Sequence, residues 1–334
     1  MGDKSTRVVL ITLVAAWLGW GFDVFDGLLF AYAGKPTLKS LLGPGTTDQT
    51  ITAWLGYINA IFLVGWGAGG ILFGRVTDRF GRTRTLLITM LLYSGATALC
   101  AACTSIWPFI ICRIFASLGI GGEWAAGAAL VAEVVSEKRR PIAGAILYTA
   151  SPIGMFAASK VTRLVIDANV ENVESWRTAF LLGLVPAAFA FAIRYFVEEP
   201  ERWKEHKAEP ARLRDLFAPG LASRTITGAL VASVALIGWW GILSFIPRLA
   251  REWCEKAGVA KSDVGAMVDS ANDGFILGGV VGTLLTVPLA MYVGRKATFF
   301  VYFLGAIASS WIAFGMDLPL PQRLQALFLP GLTV

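Results

Sequence analysis

Histidine is almost missing from this 334-residue chain: His206 is its only one. A His-rich metal site is therefore excluded. Also missing are the G-x-S-x-G turn of a serine nucleophile, the H-E-x-x-H of a zinc protease and a Walker A loop. No enzyme chemistry, no metal and no cofactor is expected from what remains. Cysteine is scarce. Three of the four, Cys100, Cys103, Cys112 and Cys254, lie in apolar spans, where a small buried thiol is expected rather than a disulfide. Cys100-x-x-Cys103 has no second pair and no nearby histidine, so a redox or metal reading is set aside. Charge is sparse as well: 16% of residues are charged against 56% hydrophobic, with a mean hydropathy of +0.64. No soluble domain needs that much apolar surface, so the chain reads as a polytopic helical protein whose medium is the lipid bilayer. A net charge of +6 would suggest nucleic acid in a soluble chain. Here the excess sits in loops on one side of the spans, and no nucleic-acid partner is expected.

Nine long apolar segments can be read, at about 8–33, 51–76, 85–102, 106–135, 141–165, 176–197, 225–246, 272–293 and 297–316. A tenth starts near Leu324. The first is too long for a signal peptide and carries two aspartates. MGDKST fits a loose myristoylation pattern, but a spanning protein needs no lipid anchor. Twelve tryptophans and seven tyrosines suit interfacial belts. Basic loops alternate: Lys4/Arg7, Arg79–Arg84, Lys138–Arg140, Arg202–Arg224 and Arg295/Lys296 fall on one side. The positive-inside rule then puts the N-terminus and the 198–224 loop in the cytoplasm, and the protein in the plasma (inner) membrane. The expected organisation is an N-terminal six-helix bundle (1–197), a cytoplasmic linker (198–224) and a partial C-terminal bundle (225–334). Gly65-x-x-x-Gly69 and Gly274-x-x-x-Gly278-x-x-x-Gly282 place small residues where helix backbones can approach closely. Gly65-x-Gly67-x-x-Gly70 matches a dinucleotide fingerprint by letters only, since no strand precedes it.

The eleven residues 74–84, GRVTDRFGRTR, join the second and third spans. They resemble the signature loop of the major facilitator superfamily, G-x-x-x-D-[RK]-x-G-[RK]-x-[RK], through Gly74, Asp78, Arg79, Gly81, Arg82 and Arg84. Met291–Lys296 looks like a degenerate copy. An ordinary positive-inside loop explains the arginines but not the ordered Gly, Asp and Gly. Arg113-x5-Gly119-x-Gly121-Gly122-Glu123-Trp124 resembles the family's fourth-helix pattern, shifted by two. Its GGEW ending, with Trp17–Asp26 (WLGWGFDVFD), is similar to the sialate, aromatic-acid and metabolite:proton symporter branches. Glu133, Arg139 and their neighbours resemble the acidic–basic stretch after helix 4, and Glu198–Trp203 the stretch after helix 6. The resemblance implies an all-α membrane protein of twelve spans in two six-helix bundles, of which about nine or ten are present here, the second bundle being incomplete. It also implies that the Gly74–Arg84 turn, with Glu133 and Arg139, latches the halves together.

Four ionisable residues lie deep in spans: Asp23, Asp26, Arg113 and Glu123. Each costs about 2.5–3.5 kcal/mol at a helix centre, which demands pairing or purpose. At 1.5 Å per residue, Asp26 and Arg113 both lie about 10 Å below the outer ends of their spans and can meet. Asp23 sits one turn deeper. Two carboxylates three residues apart in low dielectric cannot both ionise cheaply, so Asp23, Asp26 and Glu123 are candidate proton-coupling groups. Arg113 keeps its charge and attracts anions: an aspartate, or a substrate carboxylate once that aspartate is protonated. A static buried salt bridge remains the alternative, and a structural role remains open for Glu123. Arg113 reads as the only strong cation at depth, which favours a small organic acid. Spans 5 and 7 carry no glutamine, which disfavours a hexose. Asn59 and Tyr148 are candidate cavity polars, and Trp239 and Trp240 either gate or pack. Asn272 and Asp273 fall near the mouth of span 8 and can cap it. The expected function is proton-coupled symport of a small organic acid or related metabolite by alternating access, by a monomer. The alternatives are uniport, antiport or a non-transporting sensor.

Overall fold

The computed structural model describes residues 2–167, 174–189, 197, 199 and 213–333. Among them every regular element is helical. Contacts divide the chain into two compact units, Met1–Pro210 and Ala211–Val334. The first holds α1 (Gly2–Leu42), α2 (Asp48–Phe80), α3 (Arg82–Cys100), α4 (Ile106–Val134), α5 (Arg140–Tyr148), α6 (Ala150–Asp167) and α7 (Ser175–Leu181). The second holds α8 (Ala222–Lys256), α9 (Lys261–Val293), α10 (Arg295–Ser310), α11 (Leu320–Ala326) and α12 (Phe328–Thr333). Eight segments among the described residues are long and apolar enough to cross a membrane. The sixth predicted span is described only to residue 189, and most of the predicted linker, with Glu198, Pro200–Trp203 and His206, lies outside the described residues.

Local chemistry accounts for the boundaries. Thr47 caps α2 by accepting a hydrogen bond from the Thr50 amide at 3.2 Å. Gly81 separates α2 from α3 at φ 106°, a backbone conformation that favours glycine. The predicted fifth span is broken at Thr149, because Pro152 lacks the amide that would bond Tyr148. Trp17 Nε1 donates to the Thr149 hydroxyl at 2.9 Å and ties α1 to that break. The eighth span begins earlier than the hydropathy pattern gives. Asn272 and Asp273 are therefore not caps but lie inside α9, eleven and twelve residues past Lys261, with Asn272 buried.

In lipid, helices associate by close packing rather than by expulsion of water. α2 and α4 show this at glycines. A Cβ on Gly121 would fall 2.0 Å from the Trp66 carbonyl oxygen, and one on Gly69 2.2 Å from that of Leu118. A buried cluster of Phe30, Phe109, Trp176 and Phe180 joins α1, α4 and α7. There Arg177 donates to the carbonyls of Ala101 and Cys103 and pairs with Glu174. Hydrogen bonds from Ser40 and Arg177 hold the Glu174 carboxyl below the usual carboxylate range. Cys112 brings its thiol against those of Cys100 and Cys103, and all are free. In the second unit, Ile246, Ala250, Phe275 and Leu327 form the core of α8, α9 and the end of α11.

Candidate functional site

α1 and α4 carry the deep charges, and their glycines make room for them. Asp23, Asp26, Arg113 and Glu123 are all essentially buried. The Glu123 carboxyl fills the space beside Gly19, where a Cβ would come within 2.3 Å of its Oε1, and rests against Gly127. Gly19 is one turn before Asp23 on the same face of α1, so the Asp23 and Glu123 carboxyls meet. No other side chain donates a hydrogen bond to either carboxyl among the described residues, and the Val24 amide acts on Asp23 from its own helix. As two carboxylates they repel; one shared proton turns the contact into a hydrogen bond. The closely approaching acids are therefore Asp23 and Glu123, on facing helices, and not the sequence neighbours Asp23 and Asp26.

Asp26 has a different partner. Its Oδ2 accepts from the Thr97 hydroxyl of α3 at 2.7 Å. The expected Asp26–Arg113 ion pair is not formed at contact distance: Arg113 is near enough for its charge to act on Asp26, yet no salt bridge joins them. The guanidinium instead lies over the Phe62 ring at 4.3 Å and the Phe30 ring at 5.6 Å, with one long contact of 3.4 Å to the Gly27 carbonyl. Its Nε and Nη1 have no hydrogen-bond partner. A buried arginine with two idle donors beside a carboxylate has hydrogen bonds left to give to an anionic oxygen.

One residue that the sequence reading passed over belongs here. Tyr93 is fully buried, and its hydroxyl lies near Asp23, Asp26 and Glu123. A Cβ on Gly119 would meet the Tyr93 backbone, so α3 and α4 close around that ring. Lys160 lies two residues before the end of the apolar span at Thr162, half-buried, with its Nζ 5.2 Å from the Phe156 ring centroid.

The remaining candidates are distributed. Tyr148 joins Trp20 and Trp124 in an aromatic cluster. Asn59 is exposed on α2, away from the buried charges. In the second unit Trp239 packs on Phe275, ring centroids 4.9 Å apart, and against Gly279, while Trp240 is half-buried. At the turn between α2 and α3, Arg82 holds Glu133 at 2.7 Å, Asp78 at 3.3 Å and the Thr77 carbonyl at 2.9 Å. Glu199 accepts from the backbone amides of Arg82 and Arg84, both at 2.9 Å, at the start of α3. Arg79, Arg84 and Arg139 are exposed, and nothing crowds Gly74.

Residues 9–332 match the Major Facilitator Superfamily. The chain belongs to that superfamily. It is a membrane-spanning member of a transporter family and not an enzyme. A Haemophilus influenzae protein whose name assigns it provisionally to metabolite transport is 29% identical over 92% of this chain. A gentisate transporter of Corynebacterium glutamicum is 29% identical over 80%. The chain spans 74% and 60% of the lengths of these two relatives. The fold is that of the superfamily. The proton:xylose symporter XylE superposes with a TM-score of 0.72 over 98% of this chain and 79% of its own, at 20% identity.

Proposed function

We propose that this major facilitator protein carries a small organic acid across the plasma (inner) membrane by alternating access, in symport with protons, as a monomer with its N-terminus in the cytoplasm. The observation that supports it best is the pairing of two incomplete sites in one membrane-embedded cluster. Arg113 has two idle buried donors for a carboxylate, and Asp23 and Glu123 meet where one shared proton would bridge them. Asp26 lies between these roles, within the field of Arg113 and bonded to Thr97. Protonation of an acid would loosen its hold on Arg113, and a substrate carboxylate would take its place. Asn59, Tyr148, Trp239 and Trp240 are further substrate-contact candidates. The relative named for gentisate transport agrees with an acidic cargo. The test is uptake of a panel of labelled organic acids into vesicles with and without an imposed pH gradient. Symport predicts accumulation that follows the gradient. Saturable uptake indifferent to it would indicate uniport, exchange alone antiport, and no uptake a sensor.

The Gly74–Arg84 turn, with Gly81, Glu133 and Arg139, is proposed as a conformational latch. Arg82 is its centre, since it holds three groups at once. Asp78→Asn removes one of them and leaves Glu133 in place. We expect turnover to slow while substrate binding survives, because a shift of about 1.4 kcal/mol changes a conformational ratio tenfold. Arg82→Gln releases all three and should slow it further. The measurement is outside accessibility of Asn59→Cys in each background. Accessibility and turnover equal to the parent's would reduce the turn to a topogenic signal.

A further inference from the structure

Between α4 and α5 the first unit contains a recess of about 180 Å³. Its walls are Trp124, Ala128, Val131, Gly144 and Tyr148, and Arg140 stands at its cytoplasmic-side end. The Arg140 Nε is buried and has no hydrogen-bond partner, while Nη1 lies 3.7 Å from Glu137. The recess is therefore apolar and aromatic along its length, with one directed cationic donor at one end. Trp20, Trp124 and Tyr148 close the other end. Their ring centroids lie 4.2, 4.7 and 5.4 Å apart, tilted or edge-on. Beyond these rings a gap lined by Ala16, Trp20, Glu123 and Gly127 leads to the Glu123 carboxyl, and it is too narrow to hold a water. Glu123 lies eleven residues, about 16 Å, from the end of α4, so the rings separate the buried acids from the recess.

We infer that this recess is an inner docking position for the transported anion and that it selects planar carboxylates. It rests on the organic-acid reading above. A flat ring lies in the recess against the Trp124 and Tyr148 rings, and its carboxylate takes the idle Arg140 Nε as a charge-assisted hydrogen bond. Trp20, Trp124 and Tyr148 are the partition that must part for the substrate to pass between this position and Arg113. A saturated ring of the same size is thicker and lacks the edge-to-face contacts, so it docks less well.

The test uses the full chain in neutral-lipid nanodiscs, with benzoate as probe and cyclohexanecarboxylate and benzyl alcohol as comparisons. A Cβ on Gly144 meets nothing within 4 Å, so Gly144→Cys reports on the recess without disturbing it. Benzoate is expected to slow maleimide labelling of Gly144→Cys, cyclohexanecarboxylate to do so more weakly, and benzyl alcohol not at all. Adding Arg140→Gln should raise the benzoate concentration needed by about tenfold, the usual worth of one charge-assisted hydrogen bond. Absence of benzoate protection, or protection unchanged by Arg140→Gln, overturns the inference. So does labelling that anionic lipid alone blocks, which assigns the recess to a lipid headgroup. Failure of the transport reading shows separately, as pH-independent uptake with Arg140-dependent protection intact.

Discussion

Glu123→Gln and Asp23→Asn are each expected to abolish proton-driven accumulation and to leave substrate exchange running. With one proton carried per substrate, one pH unit is worth about 1.4 kcal/mol, so the parent reaches about tenfold accumulation for each unit of gradient. The variants should stay near onefold. The physical reason is local to α1 and α4. The two carboxyls meet in a space made by Gly19 and Gly127, and no other side chain hydrogen-bonds to either. An amide keeps the size of the side chain and supplies a permanent hydrogen bond, so the pair has no proton left to exchange. Neither substitution adds a charge to the membrane, and insertion should not suffer. Counterflow between preloaded and external substrate isolates the step that needs no net proton movement. Gradient-dependent accumulation at the parent's level in both variants would remove the pair from the coupling step.

Arg113→Lys should raise the KM for a monocarboxylate by roughly 10- to 100-fold with much smaller effects on folded yield. Lysine keeps the charge but replaces a planar fork by a single ammonium. The Nε and Nη1 donors idle in the absence of substrate would each contribute about 1.5–3 kcal/mol as hydrogen bonds to a charged group, and a loss of one accounts for the range. The guanidinium also loses its place over the Phe62 ring, at 4.3 Å, which a lysine recovers only in part. A purely structural arginine predicts the reverse pattern: lower thermal stability with KM unchanged. Measuring both quantities on the same preparation separates the two roles.

Both expectations depend on pairings that sequence alone left open or placed elsewhere. Spacing along one helix is visible in a sequence, and it suggested Asp23 with Asp26. The contact that forms is Asp23 with Glu123, because α1 and α4 approach at Gly19 and Gly127. Depth counting put Asp26 and Arg113 at one level, and they do sense each other. The rotation of each helix about its axis sends Asp26 to Thr97 and Arg113 to the faces of Phe62 and Phe30. That rotation is decided by packing on all sides and leaves no mark in a one-helix pattern. Glu199 shows the same limit. It was visible in a charged stretch, but its seat on the amides of Arg82 and Arg84 required the turn at Gly81.

What the sequence determined by itself was the class of protein: helical, membrane-spanning, a major facilitator member with its ordered Gly-Asp-Gly-Arg turn and four charged residues at depth. These follow from hydropathy, from the cost of charge in lipid and from local turn chemistry, all of which act over a few residues. The structure alone decided the true start of α9, the partners of each buried charge and the recess closed by Trp20, Trp124 and Tyr148. Those depend on contacts between helices far apart in the chain. In lipid such contacts are set by shape, by which glycine lets which backbone approach, rather than by any hydrophobic pattern.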